Sequence, residues 1–181
     1  MNYIFLDVDG VLNNKRHYSR QHKKYGGRFF CENMPFNPRS LKNLRKIIDR
    51  TGGKENTSIV LTSSWRRDEK CMTVLSARLM EYGMKIKAGY TTENLENGSR
   101  GKEILQWLNA HCSVITSFYA DNIPYRTYDI SRENNFIILD DESYDIEEFF
   151  TKEHIVHTNW TKGLTRRKRN EAIAKLNDYF R

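Results

Sequence analysis

The chain has 181 residues and a formal net charge of +7, and 38% of its residues are hydrophobic. This length suits one domain with a sizeable core, and the hydrophobic share excludes wholesale disorder. The positive charge favours an anionic partner, although it carries no information about the fold. No apolar stretch approaches the ~20 residues that a membrane-spanning helix needs, and the three cysteines are widely spaced. We therefore expect a cytoplasmic protein that has no membrane segment, disulfide framework or structural zinc site.

Strand-like apolar runs alternate with segments of helical periodicity along the chain. This pattern predicts a layered α/β domain with a mostly parallel sheet. The expected strands cover residues 3–8, 58–62, 84–90, 136–139 and 154–158. The expected helices begin at Asn37-Pro38 and include residues 71–79, 101–110 and 165–180. Residues 113–134 mix aromatic residues, a proline and charges, so we expect an irregular insertion there.

The first predicted strand leads into a pair of carboxylates. Asp7 and Asp9 are two residues apart, so their side chains share a face if the extended geometry persists. Gly10 follows them and allows a sharp turn and a close backbone approach to a ligand.

The segment that follows this pair differs in character from the strand before it. Residues 13–31 contain no acidic residue, and aromatic residues are interleaved with cations. The cations are Lys15, Arg16, Arg20, Lys23, Lys24 and Arg28. We expect residues 14–35 to form a basic cap or loop insertion outside the core. Its cations would bind phosphates and its aromatic rings would stack bases, as in single-stranded nucleic-acid binding, whereas the alternative is a solvated basic loop.

A second acidic pair, Asp140-Asp141, follows the predicted strand at residues 136–139. In open α/β sheets, ligands gather at the carboxyl ends of the strands, where both acidic pairs are expected. Clustered carboxylates repel one another unless a cation neutralises them, and oxygen-rich sites suit Mg²⁺. The alternative is that these aspartates only cap loops and helices. Two pairs that each follow an apolar strand favour a magnesium site formed by Asp7, Asp9, Asp140 and Asp141.

The last predicted helix begins with a run of cations, Thr165-Arg166-Arg167-Lys168-Arg169. The helix dipole disfavours cations in a first turn, whereas helix N-termini attract phosphates. Arg166 and Arg167 are therefore candidate phosphate contacts, unless the helix begins later. The tryptophans, by contrast, are expected to be packing residues and not a stacking surface: Trp65, Trp107 and Trp160.

The first acidic pair resembles the nucleophile motif of the haloacid dehalogenase (HAD) superfamily, which has the form Asp-x-Asp-x-Thr/Val. The matching segment is Asp7-Val8-Asp9-Gly10-Val11. The resemblance implies that Asp7 is the nucleophile and forms an aspartyl-phosphate. It also implies that Asp9 is the general acid for the leaving oxygen and then the base that activates water. The second aspartate favours phosphoryl transfer, because the dehalogenase branch lacks an acid at that position.

The same resemblance assigns the phosphate-binding residues. Ser63, after the second strand, would donate a hydrogen bond to the phosphate, with Thr62 as the alternative and with Ser64 and Gly10 beside it. A cation near a helix start would stabilise the transferring phosphoryl group. The segment Ser99-Arg100-Gly101-Lys102 offers two such cations, Arg100 being preferred to Lys102.

The fourth superfamily motif is an acidic pair after an apolar strand. The segment Ile137-Ile138-Leu139-Asp140-Asp141 fits it. The resemblance implies that Asp141 reaches the metal, that Asp140 orients the site and that Asp145 supports it.

Five segments together resemble one branch of the superfamily, the HAD domain found in Swiss Army knife RNA repair proteins. They are Phe-Leu-Asp-Val-Asp-Gly-Val-Leu-Asn, Ser-Ser-Trp-Arg, Arg-Gly-Lys-Glu-Ile-Leu-Gln-Trp-Leu, Ile-Leu-Asp-Asp and Gly-Leu-Thr. This branch is related to the phosphatase halves of polynucleotide kinase-phosphatases. The resemblance implies a single Rossmann-like HAD domain over residues 1–181 with at most a small cap. Arg66, in the second segment, joins the basic residues above as a candidate nucleic-acid contact.

The resemblance and the basic segment together favour a Mg²⁺-dependent phosphatase that removes terminal 3′-phosphates from RNA or DNA. A small cap leaves the site open, which suits the end of a polymer better than an enclosed metabolite. One alternative is a phosphatase of free mononucleotides, such as a 5′-nucleotidase. The other is a non-catalytic nucleic-acid-binding protein that retains the fold.

Overall fold

The central sheet of the computed structural model is entirely parallel. The structure describes residues 1–26, 33–95, 99–112, 114–118, 126–130 and 134–178. Their strands are β1 (Asn2–Leu6), β2 (Thr57–Leu61), β3 (Ile86–Thr91), β4 (Val114–Phe118), β5 (Arg126–Ile130), β6 (Asn135–Asp140) and β7 (Ile155–His157). Five of them form the central sheet in the order β3-β2-β1-β6-β7, and β4 pairs antiparallel with β5 in a separate sheet. The prediction of an α/β domain with a mostly parallel sheet is confirmed.

Helices cover both faces of this sheet. They are α1 (Lys15–Tyr25), α2 (Pro38–Arg50), α3 (Gly53–Asn56), α4 (Glu69–Met80), α5 (Arg100–His111) and α6 (Arg166–Asp178), with a 3₁₀ helix at Ser64–Arg67. The start of α2 is the predicted one, because the Asn37 side chain accepts a hydrogen bond from the Arg39 N–H and Pro38 occupies the first turn.

Alternate residues of the strands face two separate apolar clusters. Ile4 and Leu6 of β1 pack into the cluster that includes apolar residues of α2, α4 and α6. Tyr3 and Phe5 pack into the other cluster, which includes residues of α5. Every residue of β1, β2 and β6 is buried. Burial on both faces explains why these strands read as continuous apolar runs.

The structure changes two boundaries that bear on function. β1 ends at Leu6, two residues earlier than predicted, so both Asp7 and Asp9 lie beyond the strand. The expected irregular insertion at residues 113–134 contains the paired strands β4 and β5. β4, Val-Ile-Thr-Ser-Phe, is rich in the β-branched and aromatic residues that favour strands, a signal that the mixed composition of the whole segment obscured. The other residues of 113–134, apart from Asn134, lie outside the described part of the chain.

No helix in the described part of the chain is long and apolar enough to cross a membrane. Cys112 is a free thiol, whereas Cys71, on α4, is disulfide-bonded. One bonded cysteine does not make a disulfide framework, so the expectation that the chain lacks such a framework stays a prediction.

Candidate active site

The carboxyl ends of β1 and β6 lie side by side at the centre of the sheet. From β1 the sheet extends through β2 and β3 on one side and through β6 and β7 on the other. Ligands bind at such a switch point in open α/β sheets. Asp7 directly follows β1, and its N–H donates to the Leu139 carbonyl at 3.0 Å. Asp140 is the last residue of β6, so the two predicted acidic motifs meet here.

Three carboxylates form a cluster at this point. Oxygen atoms of Asp7, Asp140 and Asp141 all lie within 4.8 Å of one another. Burial, reinforced by mutual repulsion, raises the pKa of Asp140 to about 7 and that of Asp141 to about 6. Burial also raises the pKa of Asp7. Ionising all three carboxylates without a counterion is therefore costly. Their oxygen atoms and negative charge are what a divalent cation requires, so these residues fit a metal ion.

Arg100 connects two members of this cluster. Its Nη1 donates to Asp7 Oδ1 at 2.7 Å and to Asp140 Oδ2 at 2.8 Å. The backbone of Arg100 is held as well, because its N–H donates to Asp145 Oδ2 at 2.7 Å. A Cβ at Gly101 would lie 2.6 Å from the Asp145 carbonyl oxygen, so close packing of α5 on this loop requires glycine. The first turn of α5 therefore places the Arg100 guanidinium beside the predicted nucleophile.

Asp9 lies in a tight turn that follows β1. The N–H groups of Val11, Leu12 and Asn13 all donate to the Val8 carbonyl. The two carboxylate oxygens of Asp9 accept hydrogen bonds from the Trp65 indole at 2.8 Å and from the Asn13 amide at 3.0 Å. Asp9 thus lines the same cavity as Asp7, while its carboxylate lies outside the cluster of three. The tight turn after β1 therefore brings the carboxylates of Asp7 and Asp9 to one cavity. Their spacing in the sequence instead predicts that they share one face of an extended strand.

Gly10 allows the second acidic loop to approach this turn. Its φ is 76°, and a Cβ there would lie 2.0 Å from the carboxylate carbon of Asp141. Thr158 Oγ1 donates to the Gly10 carbonyl at 2.9 Å and fixes the turn from the other side. Only glycine suits both the backbone conformation and the contact with Asp141.

These residues surround a cavity of about 470 Å³. Its lining residues are Asp7, Asp9, Ser63, Ser64, Arg100, Asp140, Asp141, Glu142 and Trp160. The Ser63 side chain is buried and forms a hydrogen bond with Asp7 that lowers the pKa of this carboxyl. Thr62, the alternative to Ser63, is buried and does not line the cavity. Asp7, Asp9, Ser63 and Arg100 are therefore brought together as the motif order predicted.

Residues 3–168 match the family model described as the HAD domain in Swiss Army Knife RNA repair proteins. The chain belongs to this family. Searches of curated proteins and of solved structures found no match. Membership in this HAD family confirms the resemblance and implies a hydrolase of the phosphatase type, and the carboxylate cluster is compatible with the divalent metal that HAD phosphatases use.

Two other predicted site residues lie elsewhere in this HAD domain. Lys102 is exposed and does not line the cavity. The Arg66 side chain is only 6% exposed and forms a 2.7 Å ion pair with the equally buried Glu103. Its guanidinium also donates to backbone carbonyls, including those of Ser63 and Thr92. Arg66 thus connects the end of β2 to α5, and its hydrogen-bonding groups are directed into the protein.

Three residues of the site were missed from the sequence. Asn13 holds Asp9, and Glu142 lines the cavity after the second acidic pair. Trp160 also lines it and is 47% exposed, so its prediction as a packing residue is wrong, whereas Trp65 and Trp107 are buried as expected. Trp160 follows β7 in a turn. A turn has no periodic pattern of apolar residues from which the exposure of one side chain could be predicted.

The predicted nucleic-acid contacts fall into separate groups. Arg16, Arg20 and Arg166 line a common groove between α1, α2 and α6. Other predicted contacts are exposed but do not line this groove: Lys15, Lys23, Lys24 and Arg167. Arg28 lies outside the described residues.

The groove also contains cations that the sequence argument missed. Arg39, Lys42 and Lys46 lie on α2 at spacings of three and four residues, which places them on one helix face. That spacing was a signal available in the sequence. Lys162 reaches the groove from another segment, so only the tertiary structure could reveal it, whereas Arg169 belongs to the predicted run of cations at the start of α6.

We expect the metal-free protein to lose stability as the pH rises from about 4 to about 7. Because burial raises the pKa of Asp140 to about 7 and that of Asp141 to about 6, the folded protein retains protons that the unfolded chain releases near pH 4. The stability contributed by these groups is complete below the unfolded pKa and is lost as the pH passes the folded pKa. Thermal unfolding with a chelator, at about pH 5 and about pH 7.5, measures the effect.

The matched variant for this measurement is Asp140→Asn, which should flatten the pH profile because it removes one of the titrating groups. Added Mg²⁺ should raise the melting temperature most at the higher pH, where the carboxylates are ionised. A metal-free melting temperature that increases between the two pH values would contradict the assignment.

Proposed function

We propose that the protein is a Mg²⁺-dependent phosphatase that removes terminal 3′-phosphates from RNA or DNA in the cytoplasm. The observation that carries the proposal is the position of Asp7, which Arg100 and Ser63 contact within the three-carboxylate cluster. A carboxylate beside a cation and a hydroxyl donor is suited to attack a phosphorus atom while its neighbours bind the phosphate oxygens.

The proposed reaction has two displacement steps. An oxygen of Asp7 attacks the phosphorus, the bond from phosphorus to the nucleic-acid oxygen breaks, and protonated Asp9 gives its proton to that leaving oxygen. Asp9 then takes a proton from a water molecule, whose oxygen attacks the phosphorus of the aspartyl-phosphate. The bond between phosphorus and Asp7 breaks, which releases inorganic phosphate and restores both carboxyl groups.

The chain's own residues support each step. The hydrogen bonds from Trp65 and Asn13 orient Asp9, as a general acid and base requires. Arg100 places positive charge next to Asp7 and would also face the phosphoryl oxygens. Asp7, Asp140 and Asp141 would hold Mg²⁺, which when bound would neutralise their charge and polarise the phosphate.

The surroundings of the cavity favour a polymer end as the substrate. Trp160 presents an exposed ring at its edge, and the basic groove lies nearby. In this proposal the chain is one HAD domain in which residues 14–35 form a small basic cap and residues 113–134 a second insertion. The part of the first insertion that is helical, α1, has no buried residue, as expected of a segment outside the core.

A comparison of substrates tests the proposal. Phosphate release in Mg²⁺ is measured on a 3′-phosphorylated oligonucleotide and on 3′- and 5′-mononucleotides. We expect kcat/KM to be at least about tenfold higher for the oligonucleotide, which corresponds to roughly 1.4 kcal/mol of additional transition-state binding. Equal or faster turnover of mononucleotides would instead indicate a nucleotidase. Binding without turnover of any phosphate ester would indicate a non-catalytic protein.

A further inference from the structure

A strongly basic groove lies between α1, α2 and α6, beside the catalytic cavity. Its volume is about 810 Å³, and eight of the side chains that line it are Lys or Arg, whereas none is Asp or Glu. α2 contributes Arg39, Lys42 and Lys46, and α6 contributes Arg166. These four side chains are exposed. The groove therefore concentrates positive charge that is accessible to a ligand.

No acidic side chain in the described part of the chain pairs with these cations. Within the described residues, none of the eight cations forms a salt bridge, although pairs such as Arg45–Asp49 and Arg78–Glu81 form elsewhere on the surface. His17 lies in the wall of the groove. Its pKa is lowered by burial and, to a smaller extent, by the positive charge of the nearby Arg20. A surface adapted only for stability would intersperse acids among such cations.

Two buried polar groups without partners also line the groove. Among the residues that the structure describes, neither the Asn14 amide nitrogen nor the Ser40 hydroxyl has a hydrogen-bond partner, and both side chains are almost completely buried. A Cβ at Gly163 would lie 2.8 Å from the Val11 carbonyl oxygen, 2.9 Å from that nitrogen and 3.1 Å from that hydroxyl, so the two side-chain donors lie close together beside Gly163. Buried donors left unsatisfied are costly, and a ligand oxygen would remove that cost.

Helix N-termini meet at the same place. Asn14 caps α1, Asn37 caps α2, and the Thr165 hydroxyl accepts the Lys168 N–H in the first turn of α6. All three capping residues line the groove. The dipoles of these helices thus add partial positive charge to that of the side chains, even where first-turn N–H groups already have partners, as Lys15 and Arg16 do. The buried donors and these helix ends point to a phosphate oxygen as the ligand atom.

One short segment, residues 160–162, contributes to the linings of both the groove and the catalytic cavity. The Lys15 and Arg16 N–H groups donate to the carbonyls of Trp160 and Thr161, which attaches the start of α1 to this segment. Trp160 lines the catalytic cavity, and Lys162, two residues later, lines the groove. A nucleic-acid strand whose end enters the catalytic cavity can therefore continue past the exposed Trp160 ring into the groove.

We propose that this groove binds backbone phosphates of a single-stranded nucleic acid whose terminal phosphate occupies the catalytic cavity. Asn14 and Ser40 donate to one of these phosphates, and Trp160 stacks an unpaired base between the two sites. A duplex would not present an unstacked base to this ring. The placement of the terminal phosphate in the catalytic cavity rests on the proposed function. The assignment of the groove as a phosphate-binding site does not depend on it.

The binding test uses a fluorescent single-stranded oligonucleotide that lacks a terminal phosphate, with anisotropy read at several salt concentrations. For Lys42→Glu/Lys46→Glu we expect at least about tenfold weaker binding at low salt. The slope of log Kd against log salt should fall by about 1.4, because each lost phosphate contact accounts for about 0.7 in single strands. The control is Lys54→Glu/Lys85→Glu, which makes the same charge change at exposed lysines outside the groove. It should stay within about twofold of wild type, since it removes no specific contact.

Ser40→Ala tests the buried donors separately. Because the hydroxyl has no partner in the described part of the chain, its removal should leave the melting temperature unchanged or raise it. Oligonucleotide binding should nevertheless weaken about fivefold, through the loss of one charge-assisted hydrogen bond. A merely structural role for Ser40 would lower the melting temperature and leave binding unchanged, which would contradict the proposal.

Hydrolysis of p-nitrophenyl phosphate separates this inference from the proposed function. The groove variants should hydrolyse this small ester within about twofold of wild type, because it does not reach the groove. If wild type hydrolyses no phosphate ester but the groove variants still lose oligonucleotide binding, the proposed function fails and the groove assignment stands. Unchanged binding by the groove variants, or an equal loss in the Lys54/Lys85 control, would overturn the groove assignment whatever the enzymatic result.

Discussion

Asp7→Asn is expected to lower hydrolysis of any phosphate ester by at least about a thousandfold. An amide oxygen is a far weaker nucleophile than a carboxylate, and the substitution also removes one ligand of the three-carboxylate cluster. The measurement is phosphate release in Mg²⁺ under saturating substrate. Asp49→Asn, an exposed change of the same type on α2, is the matched control and should leave turnover unchanged.

The stability of Asp7→Asn distinguishes a chemical effect from a folding effect. Burial raises the pKa of Asp7 despite the opposing effect of Arg100, so its ionised form carries a net cost in the metal-free protein at neutral pH. Replacing it by a neutral isostere should leave the metal-free melting temperature unchanged or raise it. An active Asp7→Asn protein would refute the nucleophile assignment, and an unfolded one would show that Asp7 is needed for the fold.

Glu103→Gln is expected to destabilise the protein by about 3 kcal/mol, because it leaves the Arg66 guanidinium buried beside a neutral partner. Glu103 and Arg66 are 5% and 6% exposed, and a second oxygen of Glu103 accepts the Leu95 N–H. For a chain of this size, each kcal/mol shifts the melting temperature by roughly 2–4 °C, so a fall of about 6–12 °C is expected. Differential scanning calorimetry or thermal circular dichroism measures it.

Glu81→Gln provides the comparison for an exposed ion pair. Its partner Arg78 forms a contact of similar length, 2.8 Å, but the two side chains are about half exposed. Solvent screening limits such a pair to less than about 1 kcal/mol. Equal effects of the two substitutions would show that burial does not determine the contribution of the Arg66–Glu103 pair. A large stability loss specific to Glu103 would give Arg66 a structural role in place of the nucleic-acid contact predicted from the sequence.

The order of functional motifs was readable from the sequence because each one is local. The apolar runs before Asp7 and Asp140 are strands buried on both faces, and two such strands that end in carboxylates predict an acidic site at one edge of a parallel sheet. The cap of α2 was equally local, since Asn37 and Pro38 interact only with its first turn. For the same reason, residues that follow β1 and β2, or that lie at the end of β6 and the start of α5, could be predicted to form a phosphatase-type site before any distance was known.

The choice between similar residues required the tertiary structure. Arg100 and Lys102 are two residues apart, but only the Arg100 side chain reaches Asp7 and Asp140, because the rotation of α5 on the sheet determines which one faces the cavity. Likewise, the basic sequence around residue 66 does not reveal that the Arg66 side chain is buried and forms an ion pair with Glu103.

The acidic pair at Asp7 and the basic groove show most clearly which features the sequence encodes locally and which depend on the tertiary structure. The sequence alone predicted, through its resemblance to the HAD superfamily, that Asp7 and Asp9 belong to a phosphoryl-transfer motif, since their spacing and neighbours are encoded within a few residues. The turn around Val8 and its contacts with Trp65 and Asn13 decided how the two carboxylates face one cavity. The groove depends on helices separated by more than a hundred residues of chain, and long-range packing brings their cations together, which no local periodicity encodes.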